Sequence, residues 1–119
     1  MIHIQRVYGD QGDSKGRRYL VERLWPRGVR KEALPLDGWL KEIAPSTELR
    51  QWFAHDPEKW PEFRRRYWKE LEANPAAWQT LLKTARRGAV TLLYSARDTE
   101  HNGALVLKAF LDQQLTAAR

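Results

Sequence analysis

The chain has 119 residues, a size typical of one domain and too short to divide convincingly into two. It contains no cysteine, which excludes disulfides, thiol nucleophiles and thiolate metal sites. Lysine and arginine number 21 against 15 aspartates and glutamates, and the net charge of +6 favours anionic partners. No stretch of the sequence has the hydrophobicity of a signal peptide or a membrane span, so we expect a cytoplasmic protein without membrane contact.

Two strands are predicted near the start of the chain. Residues Ile2–Val7 alternate apolar and polar side chains, the pattern of a half-buried strand. Arg18–Trp25 shows the same alternation and ends at Pro26 and Gly28. The Gly- and Asp-rich segment between them, Tyr8–Arg17, is predicted to be a loop. A loop of this length allows a hairpin or a tight crossover, so the strand directions stay open.

Four helices are predicted to follow. The first is the short segment Leu36–Ile43, which ends before Pro45. Ser46 is the expected N-cap of the second helix. The third and fourth begin at the Asp-Pro and Asn-Pro pairs at residues 56–57 and 74–75, because proline fits the first position of a helix.

A buried strand and a last helix complete the prediction. Ala89–Tyr94 is a continuous apolar run, which is typical of a strand covered on both faces. Asp98 or Thr99 is expected to cap a final helix at roughly His101–Leu115. We therefore predict a single α/β domain over residues 1–119, in the order β-β-α-α-α-α-β-α, whose small sheet has residues 89–94 as its central buried strand.

Dense polar segments follow two of the predicted strands, at residues 22–31 and 94–102. Ligands of open α/β sheets bind beyond the carboxyl ends of the strands. Guanidinium groups, a hydroxyl and a helix N-terminus are the parts of an anion site. We therefore predict a pocket for a small ligand that bears a phosphate or carboxylate group. Its expected ligand-binding residues are Arg23, Arg27, Ser95, Arg97 and Asn102.

Glu22 and Asp98 are the candidates for proton transfer, although a structural role fits each of them as well. Glu22 shares a face of the predicted strand with Leu20 and Leu24, where burial would raise its pKa. Asp98 fits proton transfer or helix capping. Arg23 runs along a largely apolar strand face, where its charge needs a ligand or a carboxylate partner such as Asp98. Arg27 stands on a turn stiffened by Pro26, which either aims its side chain or simply ends a strand.

The sequence lacks the common motifs for cofactors and metals. It has no GxxxxGK[ST] loop, no GxGxxG segment after a strand and no nucleophile elbow. Its three histidines lack the spacing of metal ligands. We therefore predict no cofactor and no metal, and whether the chain is an enzyme stays open.

Three blocks of the sequence resemble the signature blocks of the YeaO-like small bacterial proteins, a family of unknown function. They are VERLWPRG at residues 21–28, APSTELRQWF at residues 44–53, and LLYSARD at residues 92–98, followed by His101 and Asn102. The resemblance runs from Ile4 to about Leu111 and implies a cytosolic single-domain α/β protein without an established activity.

This chain departs from the pattern of that family in one visible place and from its wider relatives in another. The family usually has Asp where this chain has Glu22, so the carboxylate persists with a longer reach. Wider relatives carry a Cys-His-Arg cluster after the last strand. The corresponding stretch here, His101–Gly103, contains no cysteine, so the resemblance implies no thiol chemistry.

Two other classes of function compete with the anion pocket. One is weak, non-specific binding of nucleic acid by a basic surface. That surface would comprise Lys15, Arg17, Arg18, Arg64, Arg65, Arg86 and Arg87. The arginine run at residues 64–66 is equally explained as a solvated helix face paired with neighbouring glutamates. The other class is a protein-interaction domain, which would expose a large tryptophan patch.

Overall fold

The structure, a computed structural model, describes residues 1–9 and 16–117. Its sheet contains four parallel strands, β1 (Ile2–Arg6), β2 (Arg17–Leu20), β3 (Gly38–Trp39) and β4 (Val90–Tyr94). Their order in the sheet is β1-β4-β2-β3. The predicted α/β fold is confirmed, and the strand directions that the sequence left open are all the same.

Strand β4 is the centre of the sheet, as predicted. Its five residues are all buried. It pairs with β1 on one side, where Ile4 lies opposite Leu92, and with β2 on the other, where Tyr19 lies opposite the same leucine. An apolar run fits this position because a central parallel strand has no face in contact with water.

Four α-helices pack on one face of the sheet, namely α1 (Thr47–Phe53), α2 (Trp60–Ala73), α3 (Gln79–Arg87) and α4 (Gly103–Ala117). The predicted start of α1 is confirmed, since the Ser46 hydroxyl accepts a hydrogen bond from the amide of Leu49 at 3.1 Å. The Asp-Pro and Asn-Pro pairs were predicted to begin the next two helices. In the structure each pair begins a short 3-10 turn, and the α-helix follows that turn. Those 3-10 turns are Pro57–Lys59 before α2 and Pro75–Ala77 before α3.

Two predicted elements differ from the structure. The second strand ends at Leu20 rather than Trp25, because Val21 makes the last bond to β4, donating to the carbonyl of Leu93 at 3.2 Å. The predicted helix Leu36–Ile43 is wrong. Its first half contains β3, and only Lys41–Ile43 forms a 3-10 turn. Pairing with β2 overrides the helical pattern here.

The two faces of the sheet are covered by different kinds of structure. On one face, Val90 and Leu92 pack with apolar residues of all four helices. On the other face, Leu20 and Leu93 pack against the irregular segment after β2. The apolar residues of that segment are Trp25, Val29, Leu34, Leu36 and Trp39. The same segment therefore covers the sheet and carries two of the predicted site arginines.

Gly16, at the edge of the predicted loop Tyr8–Arg17, allows β2 to start against the chain before β4. Most of that loop lies outside the described residues. Gly16 has φ +65°, and a Cβ atom there would lie 1.8 Å from the carbonyl oxygen of Ala89. Gly28 has a similar φ of +78°, but a Cβ atom there would meet nothing within 4 Å.

We expect Gly16→Ala to destabilise the fold much more than Gly28→Ala. The second change costs about 1–2 kcal/mol for left-handed backbone alone. The first adds a clash with backbone, which should cost about 2 kcal/mol more. Urea unfolding of both variants measures the difference. Equal losses would contradict the close approach of Gly16 to Ala89.

Candidate functional site

The parallel sheet brings the carboxyl ends of three strands to one edge. Strands β1, β4 and β2 end at Arg6, Tyr94 and Leu20, and they are neighbours in the sheet. A cavity of about 530 Å³ lies beyond them. Its walls come from the segments at 21–27, 44–45, 50–55, 94–96 and 101–104, together with Tyr8 and Phe63. This is the position that a parallel α/β sheet offers to a ligand.

Most of the predicted site residues line this cavity. Those that do are Glu22, Arg23, Arg27, Ser95 and Asn102. Arg97 and Asp98 are not among the lining residues. Arg97 is exposed, and its proposed contact with a ligand stays a prediction. The site residues come from two distant parts of the chain, and the parallel strands bring those parts together.

Glu22 is paired with a hydroxyl rather than with a cation. The Ser95 hydroxyl donates a hydrogen bond to Oε1 of Glu22 at 2.6 Å. Both residues are half-buried. This bond joins the chain after β2 to the chain after β4, and it is an interaction that the sequence did not predict.

Arg23 bonds to backbone carbonyls, and the carboxylate that it pairs with is Glu42 rather than Asp98. Its Nε donates to the carbonyl of Pro45 at 2.9 Å, and Nη2 lies 3.5 Å from the carbonyl oxygen of Ala44. The nearest carboxylate is that of Glu42, at 4.0 Å from Nη1, on a side chain that is 80% exposed. Such a pair adds little stability. The carbonyls that precede α1 are therefore the main partners of Arg23.

Arg27 lies on a rigid turn and points to solvent at the cavity. The Val29 amide bonds to the Pro26 carbonyl at 3.4 Å, and Gly28 follows Arg27 with positive φ, as in a type II turn. The Tyr8 hydroxyl donates to the carbonyl of Arg27 at 2.8 Å. The backbone at Arg27 is thus fixed on two sides, while its guanidinium stays exposed.

Asp98 acts on the cavity through His101. Its Oδ1 accepts hydrogen bonds from the amides of Glu100 and His101, at 2.9 and 3.0 Å. Its Oδ2 lies 2.8 Å from Nδ1 of His101. The backbone bond from Glu100, followed by the bond from His101, lowers the pKa of Asp98 below its usual range.

This pairing fixes the orientation of the His101 ring, which lines the cavity. With Nδ1 donating to Asp98, Nε2 of the neutral ring is an acceptor. Trp60 packs edge-on against the ring, at 5.3 Å between centroids. His101 is therefore the residue through which Asp98 can take part in proton transfer.

Asn102, rather than Asp98 or Thr99, caps the last helix. Its Oδ1 accepts from the amide of Leu105 at 3.0 Å, and its Nδ2 donates to the carbonyl of Asp98 at 3.0 Å. The residue is 3% exposed. Both polar atoms of the Asn102 side chain therefore already have a hydrogen-bond partner. A ligand could contact this side chain only through the second lone pair of Oδ1 or the second proton of Nδ2.

Arg50 and His55 also line the cavity, and the sequence analysis missed both. They belong to α1 and to the turn after it, elements that follow no strand. One signal was available: Arg50 precedes Phe53 by three residues, so the two share a helix face. His55 follows the end of the helix, and no periodic pattern predicts its direction.

The electrostatic character of the cavity is positive. Of the described residues that line it, three are arginines and one, Glu22, is a carboxylate. Aromatic side chains complete the walls, namely Tyr8, Trp25, Phe53, Phe63 and Tyr94. Over residues 1–9 and 16–117 the structure contains no cluster of three or more metal-ligating side chains. Within the same ranges, no helix is both long enough and apolar enough to cross a bilayer.

Fold and cavity together define a small α/β protein with a basic, aromatic pocket at the carboxyl edge of a parallel sheet. The chain belongs to the DUF488-N3i family, described as the inactive DUF488-N3 subclade, whose model matches residues 1–119. The resemblance to the YeaO-like proteins is thereby confirmed.

The relatives of the chain are uncharacterised proteins of similar length. It is 46% identical over 110 residues to the uncharacterised protein YeaO of Escherichia coli K12, covering 92% of this chain and 96% of the relative. It is 40% identical over 111 residues to the uncharacterised proteins Rv3073c of Mycobacterium tuberculosis H37Rv and Mb3100c of Mycobacterium bovis, covering 93% of each chain. No solved structure matches the chain.

We expect Asn102→Ala to lower the free energy of unfolding by about 2 kcal/mol, because it removes the cap and leaves the carbonyl of Asp98, a half-buried residue, without its donor. Thr99→Ala is the matched control. Thr99 is exposed and was the alternative cap, so its loss should stay within about 0.5 kcal/mol. Urea unfolding of both variants tests the assignment, and a larger loss at Thr99 would reverse it.

Asp98 should make the free energy of unfolding depend on pH. Because its pKa is lowered in the folded chain, the ionised carboxylate stabilises the fold above its ordinary pKa of 3.8. That contribution is lost as the pH falls through the folded pKa. We expect the stability advantage of the parent over Asp98→Asn to be present at about pH 5 and to shrink below about pH 4. Urea unfolding at both values measures it, and an advantage that grows on acidification would contradict the assigned bonds.

Proposed function

We propose that this chain is a cytoplasmic, single-domain protein that binds a small anionic ligand, bearing phosphate or carboxylate, in the cavity at the strand ends. The observation that supports this proposal is the charge of the walls. Arg23, Arg27 and Arg50 face one cavity whose carboxylate, Glu22, is hydrogen-bonded to Ser95. Guanidinium groups bind phosphate and carboxylate in a bidentate manner.

Each arginine has a distinct part in the proposed site. Arg27 and Arg50 are exposed, so their guanidinium groups can meet a ligand without first leaving another partner. Arg23 is held by the carbonyls of Pro45 and Ala44, and its side chain is 28% exposed. It therefore contributes a fixed charge close to the wall rather than a mobile clamp.

The start of α4 adds a second source of positive potential. Gly103 and Ala104, the first two residues of this helix, line the cavity. The first amides of a helix have no partner within the helix, and the helix dipole favours an anion at that end. We therefore expect the arginines to supply most of the attraction for the anion. The N-terminus of α4 adds a weaker attraction that depends on the direction of the helix axis.

Binding without turnover is the form of the proposal that we favour. The family of this chain is described as an inactive subclade. The chain also lacks any cysteine. The description as inactive weighs against the catalytic roles predicted for Glu22, which lines the cavity, and for Asp98, which does not. The absence of cysteine excludes thiol chemistry.

Nucleic-acid binding by the basic surface has less support. Arg65 bonds to Glu62 through Nε at 2.8 Å and Nη2 at 2.6 Å, and Arg66 bonds to the same carboxylate at 2.8 Å. These bonds, first those from Arg65, lower the pKa of Glu62 to about 2. Arg65, a cation of the proposed surface, thus shares one carboxylate with its neighbour Arg66, which offsets part of their charge. Lys15 lies outside the described residues.

Two arginine variants separate binding from stability. Arg27→Ala should change the free energy of unfolding by no more than about 0.5 kcal/mol, because the side chain is exposed. It should nevertheless weaken the binding of phosphate-bearing ligands at least about tenfold, as expected for loss of a charge-assisted contact. Arg23→Ala should cost about 1–3 kcal/mol of stability, because the Pro45 carbonyl loses its donor.

Thermal melting and calorimetric titration with phenyl phosphate provide the measurements. Arg30→Ala is the matched control, since Arg30 is an exposed arginine three residues away that does not line the cavity. Equal binding by the Arg27 and Arg30 variants would show that general charge, rather than the cavity, attracts the ligand. If no ligand shifts the melting temperature of the parent, the anion pocket is wrong and the arginines are structural.

A further inference from the structure

The turn after α1 has an unusual combination of backbone and sequence. The Asp56 amide donates to the carbonyl of Phe53 at 2.9 Å, which closes a four-residue turn. The two central residues, Ala54 and His55, have φ of 49° and 58°. Positive φ at both central positions is the geometry of a type I′ turn, in which Gly, Asn and Asp dominate.

Glycine suits this backbone better than either Ala54 or His55 does. In the described part of the chain they are the non-glycine residues with positive φ. Left-handed backbone is unfavourable for residues with a Cβ atom, and a glycine at either position would relieve it. Glycine occurs elsewhere in this chain where φ is positive, at Gly9, Gly16 and Gly28. Local strain of this kind, kept in a short exposed turn, is typical of ligand sites.

His55 has a use that Ala54 lacks. It lines the cavity, as do Arg50 and Phe53 of the preceding helix. Its ring centroid lies 6.4 Å from that of Phe53, at 51°, so the ring is supported on an apolar side. Ala54 is exposed and does not line the cavity. The turn therefore sets one imidazole into the wall of the pocket.

We propose that His55 is a ligand-binding residue of this cavity, and that the turn is retained because it holds the imidazole in a wall of the pocket that Arg50 also lines. The inference rests on the proposed anion site. An imidazole N–H and a guanidinium that line one pocket can both bind an oxyanion, and the ring of Phe53 next to the imidazole meets an apolar group. The ligand class is an oxyanion joined to an apolar body, such as an aryl phosphate.

The sequence offers a matched pair of variants for the test. His55→Gly and Ala54→Gly both relieve one left-handed residue, but only the first removes an imidazole. We expect each to raise the melting temperature by about 2–5 °C. Calorimetric titration with phenyl phosphate should then show unchanged affinity for Ala54→Gly and an affinity about tenfold lower for His55→Gly. His55→Asn, which tolerates positive φ, should also bind weakly.

A second readout observes the imidazole directly. The chain has three histidines, His3, His55 and His101, so its imidazole carbon–proton spectrum is simple to assign by substitution. Addition of phenyl phosphate should move the His55 signal, while the signal of His3, which lies in β1 and does not line the cavity, should stay. Inorganic phosphate should move the same signal at higher concentration, since it lacks the apolar body.

The outcomes separate this inference from the anion site itself. If the parent binds phenyl phosphate and His55→Gly binds it equally well, the role of His55 is wrong and the pocket stands. If the parent binds neither probe, the pocket and the role of His55 are both overturned. If neither glycine variant melts higher than the parent, the strain is not real and the reason given for the turn is wrong.

Discussion

The parallel pairing of β4 with both β1 and β2 is the constraint on which the rest of this structure depends. Each neighbour is connected to β4 by a long stretch of chain, and parallel strands require such connections. The connection from β2 to β4 supplies α1 to α3 on one face and the irregular segment on the other, and α4 follows β4. Because all three strands point the same way, Arg6, Leu20 and Tyr94 end at one edge. The cavity exists because the chain must leave the sheet three times at that edge.

Two tryptophans hold the main chain of the segment that carries Glu22 and Arg27. Trp25 and Trp39 pack edge to face at 5.4 Å between centroids. The indole of Trp39 donates to the carbonyl of Glu22 at 2.6 Å, and the indole of Trp25 donates to the carbonyl of Val29 at 2.6 Å. Both indoles thus bind the main chain of the segment that presents the site residues. Irregular backbone is held in place here because the indole N–H groups of two half-buried tryptophans find carbonyl partners.

The parts of the fold that the sequence predicted are those with a local cause. The apolar run at 89–94 and the cap at Ser46 depend on neighbours in the chain, and both are confirmed. Strand β3 depends on pairing with β2, and its two residues, Gly38 and Trp39, carry no periodic pattern. The end of β2 at Leu20 is likewise set by its partner rather than by its own alternation, which continues beyond it.

The candidate site shows the same division. Residues that directly follow a strand, such as Arg23 and Ser95, were placed at the cavity by the rule for parallel sheets. Arg50 reaches it from a helix, and only tertiary packing brings that helix to the strand ends. The partner of Arg23 could not be predicted either, because backbone carbonyls are equivalent acceptors at every position of a sequence. The wrong choice of Asp98 followed from considering side chains alone.

The place of β4 in the sheet also sets the order in which this protein can assemble as it is made. Strands β1 and β2 are not neighbours in the sheet, and β1 can join the β2–β3 pair only through residues 90–94. Nearly four-fifths of the chain has left the ribosome before the sheet can close. Helices α1 to α3 lie between β2 and β4 and contain local contacts, which form faster than distant ones. Synthesis therefore delivers α1 to α3 and the residues of the β2–β3 pair before β4, and β4 is the strand that joins β1 to that pair.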